Sequence, residues 1–305
     1  MSDTNSMKMN NSAVPSPKQI SKRWRPTLLD GVLIIALICV AVWLAYRSSI
    51  GINYHWRWSQ AFELVFTPTA NGGLPYFVQG IIATIRLSVW GMVLAVTLGT
   101  ALGLAKHSAI SVFSVPANIF IQLVRNIPPL VFIFIFYFFI SNQLIPLLGL
   151  SDILRGYTGE VSTWQAFLFG PSSLWENLLS GVICIGLLSS AYVAEIVRAG
   201  LSAIPKGQWE AGKSLGLSTW YQYKDVVAPQ VLTAVAPALA GQAISLVKDT
   251  SIVSLISIQE MTFVGTEMAN SSGLIFEIWL IVGACYFLLC LTLSLLFRRF
   301  ETQQR

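Results

Sequence analysis

Tyr-Val-Ala-Glu-Ile-Val-Arg-Ala-Gly-Leu-Ser-Ala-Ile-Pro-Lys-Gly-Gln-Trp-Glu-Ala-Gly-Lys-Ser-Leu-Gly occupies residues 192–216, and a proline, Pro229, follows in the same polar stretch. A membrane helix runs out at Arg198, and the next apolar run begins near Val231. Between them lie two short helical patterns joined at Gly216. The second starts at a candidate cap, Ser218, and is expected to stop at Pro229. Gly216 is expected to need a positive φ. Such a helix–glycine–helix elbow between two membrane helices is shaped to dock into another protein. Glu195 and Arg198 stand i, i+3 at the end of the preceding span, the spacing of a local ion pair that orients the elbow.

The same stretch contains a false lead. Gly207-Gln-Trp-Glu-Ala-Gly212-Lys213-Ser214 fits the phosphate-loop pattern G-x-x-x-x-G-K-[ST]. That loop needs a buried strand before it, so that its amides face phosphate at a helix N-terminus. Here a membrane helix and Pro205 precede it, and no βαβ pattern surrounds it. Nucleotide binding by this chain is therefore not expected, and no cofactor or metal is assigned to it.

Of 305 residues, 54% are hydrophobic and only 11% charged, with a mean hydropathy of +0.66. A soluble domain carries about 25% charged residues, so most of this chain belongs in a lipid bilayer. Ten Trp, nine Tyr and seventeen Phe suit interfacial belts. The net charge of +5 does not indicate a nucleic-acid partner, because the basic residues are sorted by membrane side. Cys39, Cys184, Cys285 and Cys290 all fall in apolar runs and read as small hydrophobes without disulfide or metal spacing.

The fold class expected is an all-α integral membrane protein with six transmembrane helices. Residues 1–27 read as a disordered polar tail. The spans fall near 28–46, 79–104, 115–140, 177–198, 231–256 and 274–297, the first a retained anchor rather than a cleaved signal. With the N-terminus inside, thirteen of the nineteen Lys and Arg residues lie in cytoplasmic segments and three (Arg47, Arg57, Arg155) in external ones. This positive-inside bias puts both termini, the tail 298–305 and the elbow 199–230 in the cytoplasm. The external segment 141–176 reads either as a lid packed on the bundle or as a docking surface.

The elbow resembles the EAA loop of ABC importer permeases, which runs Glu-Ala-Ala, three residues, Gly, nine residues, Ile-x-Leu-Pro. Here the register is Glu210, Ala211, Gly212, then Gly216, then Val226, Ala228 and Pro229, with Gly212, Val226 and Ala228 departing from the pattern. Further pieces resemble the polar amino acid permeases of the histidine/glutamine type: Thr84-Ile-Arg-Leu-Ser88, Arg125-Asn-Ile-Pro-Pro-Leu130, Ala191-Tyr-Val-Ala-Glu195, Gly207-Gln-Trp-Glu-Ala211 and Lys248-Asp-Thr-Ser251. The likeness covers about residues 78–297, a type I importer-like core. The helix near 28–46 and the external residues that complete the segment 28–77 form an N-terminal extension. The resemblance implies a subunit without enzymatic activity in a bacterial inner membrane. Its implied partners are a second permease (the same chain or a paralogue), an ATPase subunit carrying ATP and Mg, and an extracytoplasmic amino acid-binding protein. Glu210 would contact the ATPase, with Gly207, Ala211, Gly216 and Pro229 shaping the loop.

Charges inside the spans need reasons of their own. Arg125 stands roughly ten residues into the span 115–140, about 15 Å deep. Pro128 and Pro129 then break the helix, so a new helix start would aim its amides toward the same level. Both would suit a substrate carboxylate; the alternative is that Arg125 ties the broken helix to carbonyls or an acidic neighbour. Lys248, Asp249, Thr250 and Ser251 put four polar groups in the fifth span, marking either a pathway or an interface between permeases. Arg86 and Glu277 lie near the outer ends of their spans, where Arg86 can snorkel. An ion-coupled secondary transporter would also explain these charges but leaves the elbow unexplained. A membrane enzyme finds no His or Cys cluster, G-x-S-x-G turn or paired intramembrane carboxylates at helical spacing in support.

Overall fold

The computed structural model describes residues 28–51, 54–69, 72–155 and 161–303; the expected tail 1–27 lies outside them. The chain divides into two units, residues 1–56 and 57–305. In the first, α1 (Leu28–Gly51) carries an apolar stretch, Asp30–Leu44, whose large side chains stand exposed. That is how a helix with no polar face is placed when lipid is its solvent.

Every regular element among the described residues of the second unit is helical. Its helices are α2 (Trp58–Phe66), α3 (Tyr76–His107), α4 (Ser111–Asn126), α5 (Pro129–Ile135), α6 (Asn142–Leu147), α7 (Leu150–Arg155), α8 (Thr163–Phe169) and α9 (Trp175–Ala203). They continue with α10 (Lys206–Ser214), α11 (Thr219–Tyr221), α12 (Ala228–Asp249), α13 (Met261–Ser272) and α14 (Ile275–Gln303). Among the described residues, five stretches are long and apolar enough to cross a membrane: Tyr76–His107, Pro129–Leu147, Thr163–Ala203, Thr219–Ile256 and Ile275–Arg299.

The seam between α3 and α9 centres the core. Leu87, Gly91, Ala95, Gly99 and Gly103 recur every fourth residue of α3 and are buried. A Cβ on Gly99 would stand 2.8 Å from the Ser190 carbonyl oxygen, and one on Gly103 2.7 Å from that of Ala194. The two backbones therefore touch. Lipid supplies no hydrophobic drive between helices, so this close van der Waals approach is what joins them.

Three boundaries differ from the sequence expectation. The span placed at 115–140 is two helices, because Ile127, ahead of two prolines, is extended (φ −92, ψ 136) and ends α4. The apolar stretch starts anew at Pro129 and runs through a π-helical turn, Phe136–Ser141, to Leu147. Arg125 thus sits in the last turn of α4, ahead of the span, and not ten residues inside it. Pro229 does not stop the second short helix either. A π-helical turn, Gln222–Val227, precedes it, and α12 continues from there. Proline lacks an N–H and crowds the carbonyl four residues back; widening the preceding turn absorbs both defects. Beyond Asp249 the fifth span tightens into a 3-10 segment, Thr250–Ile256.

Candidate coupling elbow and charged groove

At the elbow, α10 ends in a Schellman turn. Leu217 N–H reaches the Gly212 carbonyl at 3.1 Å and Gly216 N–H that of Lys213 at 2.9 Å, with Gly216 at φ +71. The positive φ expected of Gly216 is observed. Nothing stands within 4 Å of a Cβ added there, so conformation alone selects glycine. Ser218 then starts α11 with extended dihedrals, although its side chain makes no cap bond. The residues of the phosphate-loop pattern lie at and within α10, a helix and not a glycine turn, after Pro205.

A second tie folds the elbow on itself. Gln222, 3% exposed, donates its side-chain amide to the Trp209 carbonyl, and the Trp209 and Tyr223 rings meet edge to face at 5.1 Å. Gly212 is small because Gln222 occupies the space: an added Cβ would lie 3.0–3.2 Å from its side chain. This accounts for the departure from alanine there. Gln222 escaped the sequence reading, since a lone polar residue in a polar stretch carries no signal of burial. With α10 pinned, Glu210, Lys213, Leu215, Trp220 and Tyr221 all face outward, Leu215 at 78% and Trp220 at 69% exposure.

Where α9 meets the elbow, Glu195 gathers three cations. Arg198 Nη2 lies 2.6 Å from Oε1, while Lys106 Nζ lies 2.9 Å and Arg125 Nη1 3.8 Å from Oε2. The expected i, i+3 pair is present, but it is part of a node tying α3, α4 and α9. Lys106 and Arg125 were not foreseen on it, because the contacts cross from other helices. Arg125 is the loosest partner; its side chain lines a groove of about 550 Å³ with Tyr192, Glu195, Ala238 and Gln242.

The group 248–251 sits farther along α12, Asp249 two turns or about 10 Å beyond Gln242. Lys248 is exposed and Asp249 half-buried. Thr250 and Ser251 turn their hydroxyls back to the carbonyls of Val247 and Lys248, both at 2.7 Å. The structure therefore joins Arg125 to Glu195 and does not bring it into direct contact with Lys248 or Asp249.

Arg86 does not snorkel freely. It donates to the carbonyls of Phe167 and Ala166, both at 2.7 Å, and Trp90 donates to that of Leu168 at 3.2 Å. These bonds cap the end of α8 and hold that part of segment 141–176 against α3. Glu277 is buried and accepts the Arg57 backbone N–H at 2.8 Å.

One carboxylate absent from the sequence reading is Glu260. It is fully buried where α13 begins and accepts from Phe263 N–H at 2.9 Å and Tyr286 hydroxyl at 2.7 Å. It lies between two predicted spans and belongs to none of the quoted motifs.

Residues 95–305 match the family described as binding-protein-dependent transport system inner membrane component. The glutamate/aspartate import permease protein GltK of Escherichia coli O6:H1 is 28% identical over 73% of this chain and 91% of its own length. The probable amino-acid ABC transporter permease protein YckA of Bacillus subtilis is 32% identical over 67% of this chain and 77% of its own. A solved structure described as an amino acid ABC transporter with histidines superposes with a TM-score of 0.59 at 30% identity, covering 75% of this chain and 94% of that one. An inward-facing methionine ABC transporter, MetNI, shares the fold at a TM-score of 0.50 and 12% identity. The chain, a multi-pass membrane protein, belongs to the family of inner-membrane components of binding-protein-dependent transport systems.

Proposed function

We propose that this permease subunit moves amino acids into the cytoplasm, driven by ATP hydrolysis on a separate subunit that docks on the elbow around Glu210. The observation that carries the docking reading is the Schellman turn at Gly216. It presents Glu210 and Lys213 beside exposed Leu215 and Trp220, a charged and apolar surface typical of a protein interface. Gly207, Ala211 and Pro229 complete the loop without a chemical role. Amino acids as substrates are supported by the relatives, whose names specify glutamate, aspartate or amino acids in general. ATP and Mg stay with the ATPase. A second permease, of the same chain or a paralogue, and an extracytoplasmic binding protein complete the assembly, with both termini in the cytoplasm by the distribution of Lys and Arg.

Arg125 and the group 248–251 are the pathway candidates. Arg125 is held to Glu195 at only 3.8 Å and faces the groove, so a substrate carboxylate can engage its fork without breaking a tight pair. Pro128 matters by ending α4, which leaves Arg125 at the mouth of the next span.

The test is Glu210→Arg in the assembled transporter. The variant is expected to insert in the membrane but to lose the co-purifying ATPase, because a cation would meet the basic surface that Glu210 suits. Gly216→Val, strained at φ +71, should act alike. Parental uptake with Glu210→Arg would refute the assignment.

A further inference from the structure

Between α12 and α13 the backbone is irregular. The 3-10 segment Thr250–Ile256 ends at Ser257, a non-glycine residue with left-handed φ +62. Ser257 N–H bonds the Ser254 carbonyl at 3.1 Å, and Glu260 N–H that of Ile258 at 2.8 Å. A left-handed serine and a 3-10 continuation of a long helix both cost free energy, and they persist only where the surroundings over-determine them. Val253, Ile256 and Ile258 anchor the inner face of this segment in the main core. A further restraint is Glu260. One of its oxygens accepts Phe263 N–H, capping α13, and the other lies 2.7 Å from the Tyr286 hydroxyl and 3.3 Å from that of Thr84. The Thr84 hydroxyl in turn accepts Met261 N–H at 3.1 Å, and the Tyr286 hydroxyl lies 3.0 Å from Thr262 Oγ1. Among the described residues no cation pairs with Glu260. Its carboxylate depends on directional hydrogen bonds from α3, α13 and α14, so it positions more sharply than an ion pair.

We propose that Glu260 is a positioning residue for transport: by joining α3, α13 and α14 it holds the segment 250–260 in register, and with it the polar face at Lys248 and Asp249. This rests on the reading of that face as part of the pathway. It gives Thr84, in a motif that the coupling elbow leaves unexplained, a defined task.

The experiment compares the parent, Glu260→Ala and Glu260→Gln as purified assemblies, reading backbone amide exchange and ATP-driven uptake in liposomes with the binding protein. Glu260→Ala removes the acceptor. Exchange of residues 250–263 should quicken while α9 keeps parental protection. Maximal uptake should fall at least about tenfold, the low end of the scale for a single hydrogen bond to a charged group, because Glu260→Ala removes the acceptor of several, at an unchanged half-saturating concentration of loaded binding protein. Glu260→Gln keeps an oxygen for Phe263 N–H and offers donors to hydroxyls that can turn, so both readouts should recover most of the way. Unchanged exchange in Glu260→Ala, loosening spread through α9, or local loosening with parental uptake would each overturn the proposal. A parent that shows no ATP-driven uptake would refute the amino acid import reading, and the pathway role with it, while the exchange of residues 250–263 in Glu260→Ala still reports whether Glu260 holds that segment.

Discussion

Glu195 and Glu260 each stand where three helices meet, and the protein holds them by opposite means. Glu195 is 24% exposed and ringed by Lys106, Arg125 and Arg198. Glu260 is fully buried and bound by backbone amides and hydroxyls, with no ion pair among the described residues. An ion node near water tolerates a shifting geometry, because Coulomb attraction falls slowly with distance and water screens what is lost. A buried carboxylate without a counter-ion needs its donors in place, since each missing bond leaves a desolvated group. The first arrangement suits helices that shift against one another, and the second suits a fixed joint.

The comparison can be broken most severely at Gly103. Gly103→Val puts side-chain atoms onto the Ala194 carbonyl, prising α3 from α9 and drawing Lys106 off Glu195. A loss of about 3 kcal/mol is expected from such overpacking, read as a lower thermal midpoint of the purified protein in detergent. A parental midpoint would mean the seam yields freely, and that close packing of α3 on α9 is not what keeps Lys106 on Glu195.

Glu195→Ala comes next. It leaves three neighbouring cations without their shared acceptor, and partial exposure limits the loss to about 1–2 kcal/mol. Raising the salt concentration should recover part of this loss by screening the exposed cations. A loss that salt does not touch would make Glu195 a packing residue.

The smallest effect sharpens the contrast. Tyr286→Phe removes one hydroxyl from Glu260 and should cost about 1 kcal/mol, with no recovery at high salt because the site is dry. Salt recovery at Tyr286→Phe, measured by the same unfolding midpoint, would show that water reaches Glu260 and that the two carboxylate sites do not differ.

Local features were the legible ones. The turn at Gly216 could be expected because a helix that ends must place some residue in the left-handed region, and glycine does so without strain. The Glu195–Arg198 pair could be expected because one helix turn brings the residues together. Counting along an unbroken span misled the reading of Arg125, since the two prolines end the helix outright. Pro229 misled in the other direction, because a π turn lets the helix pass through it.

The sequence by itself therefore determined that the chain is a bundle of membrane helices with a polar elbow in register at Glu210, Gly216 and Pro229. Apolar run length, charge sorting and turn chemistry are properties of neighbouring residues. Tertiary structure alone decided that Lys106 and Arg125 share Glu195, that Gln222 fills the space beside Gly212, and that Thr84 and Tyr286 meet at Glu260. The Lys106–Glu195 and Thr84–Glu260 contacts join residues far apart in the chain, and glycines on α3 allow the close approach: a Cβ at Gly103 would meet the Ala194 carbonyl and one at Gly80 the Met261 backbone.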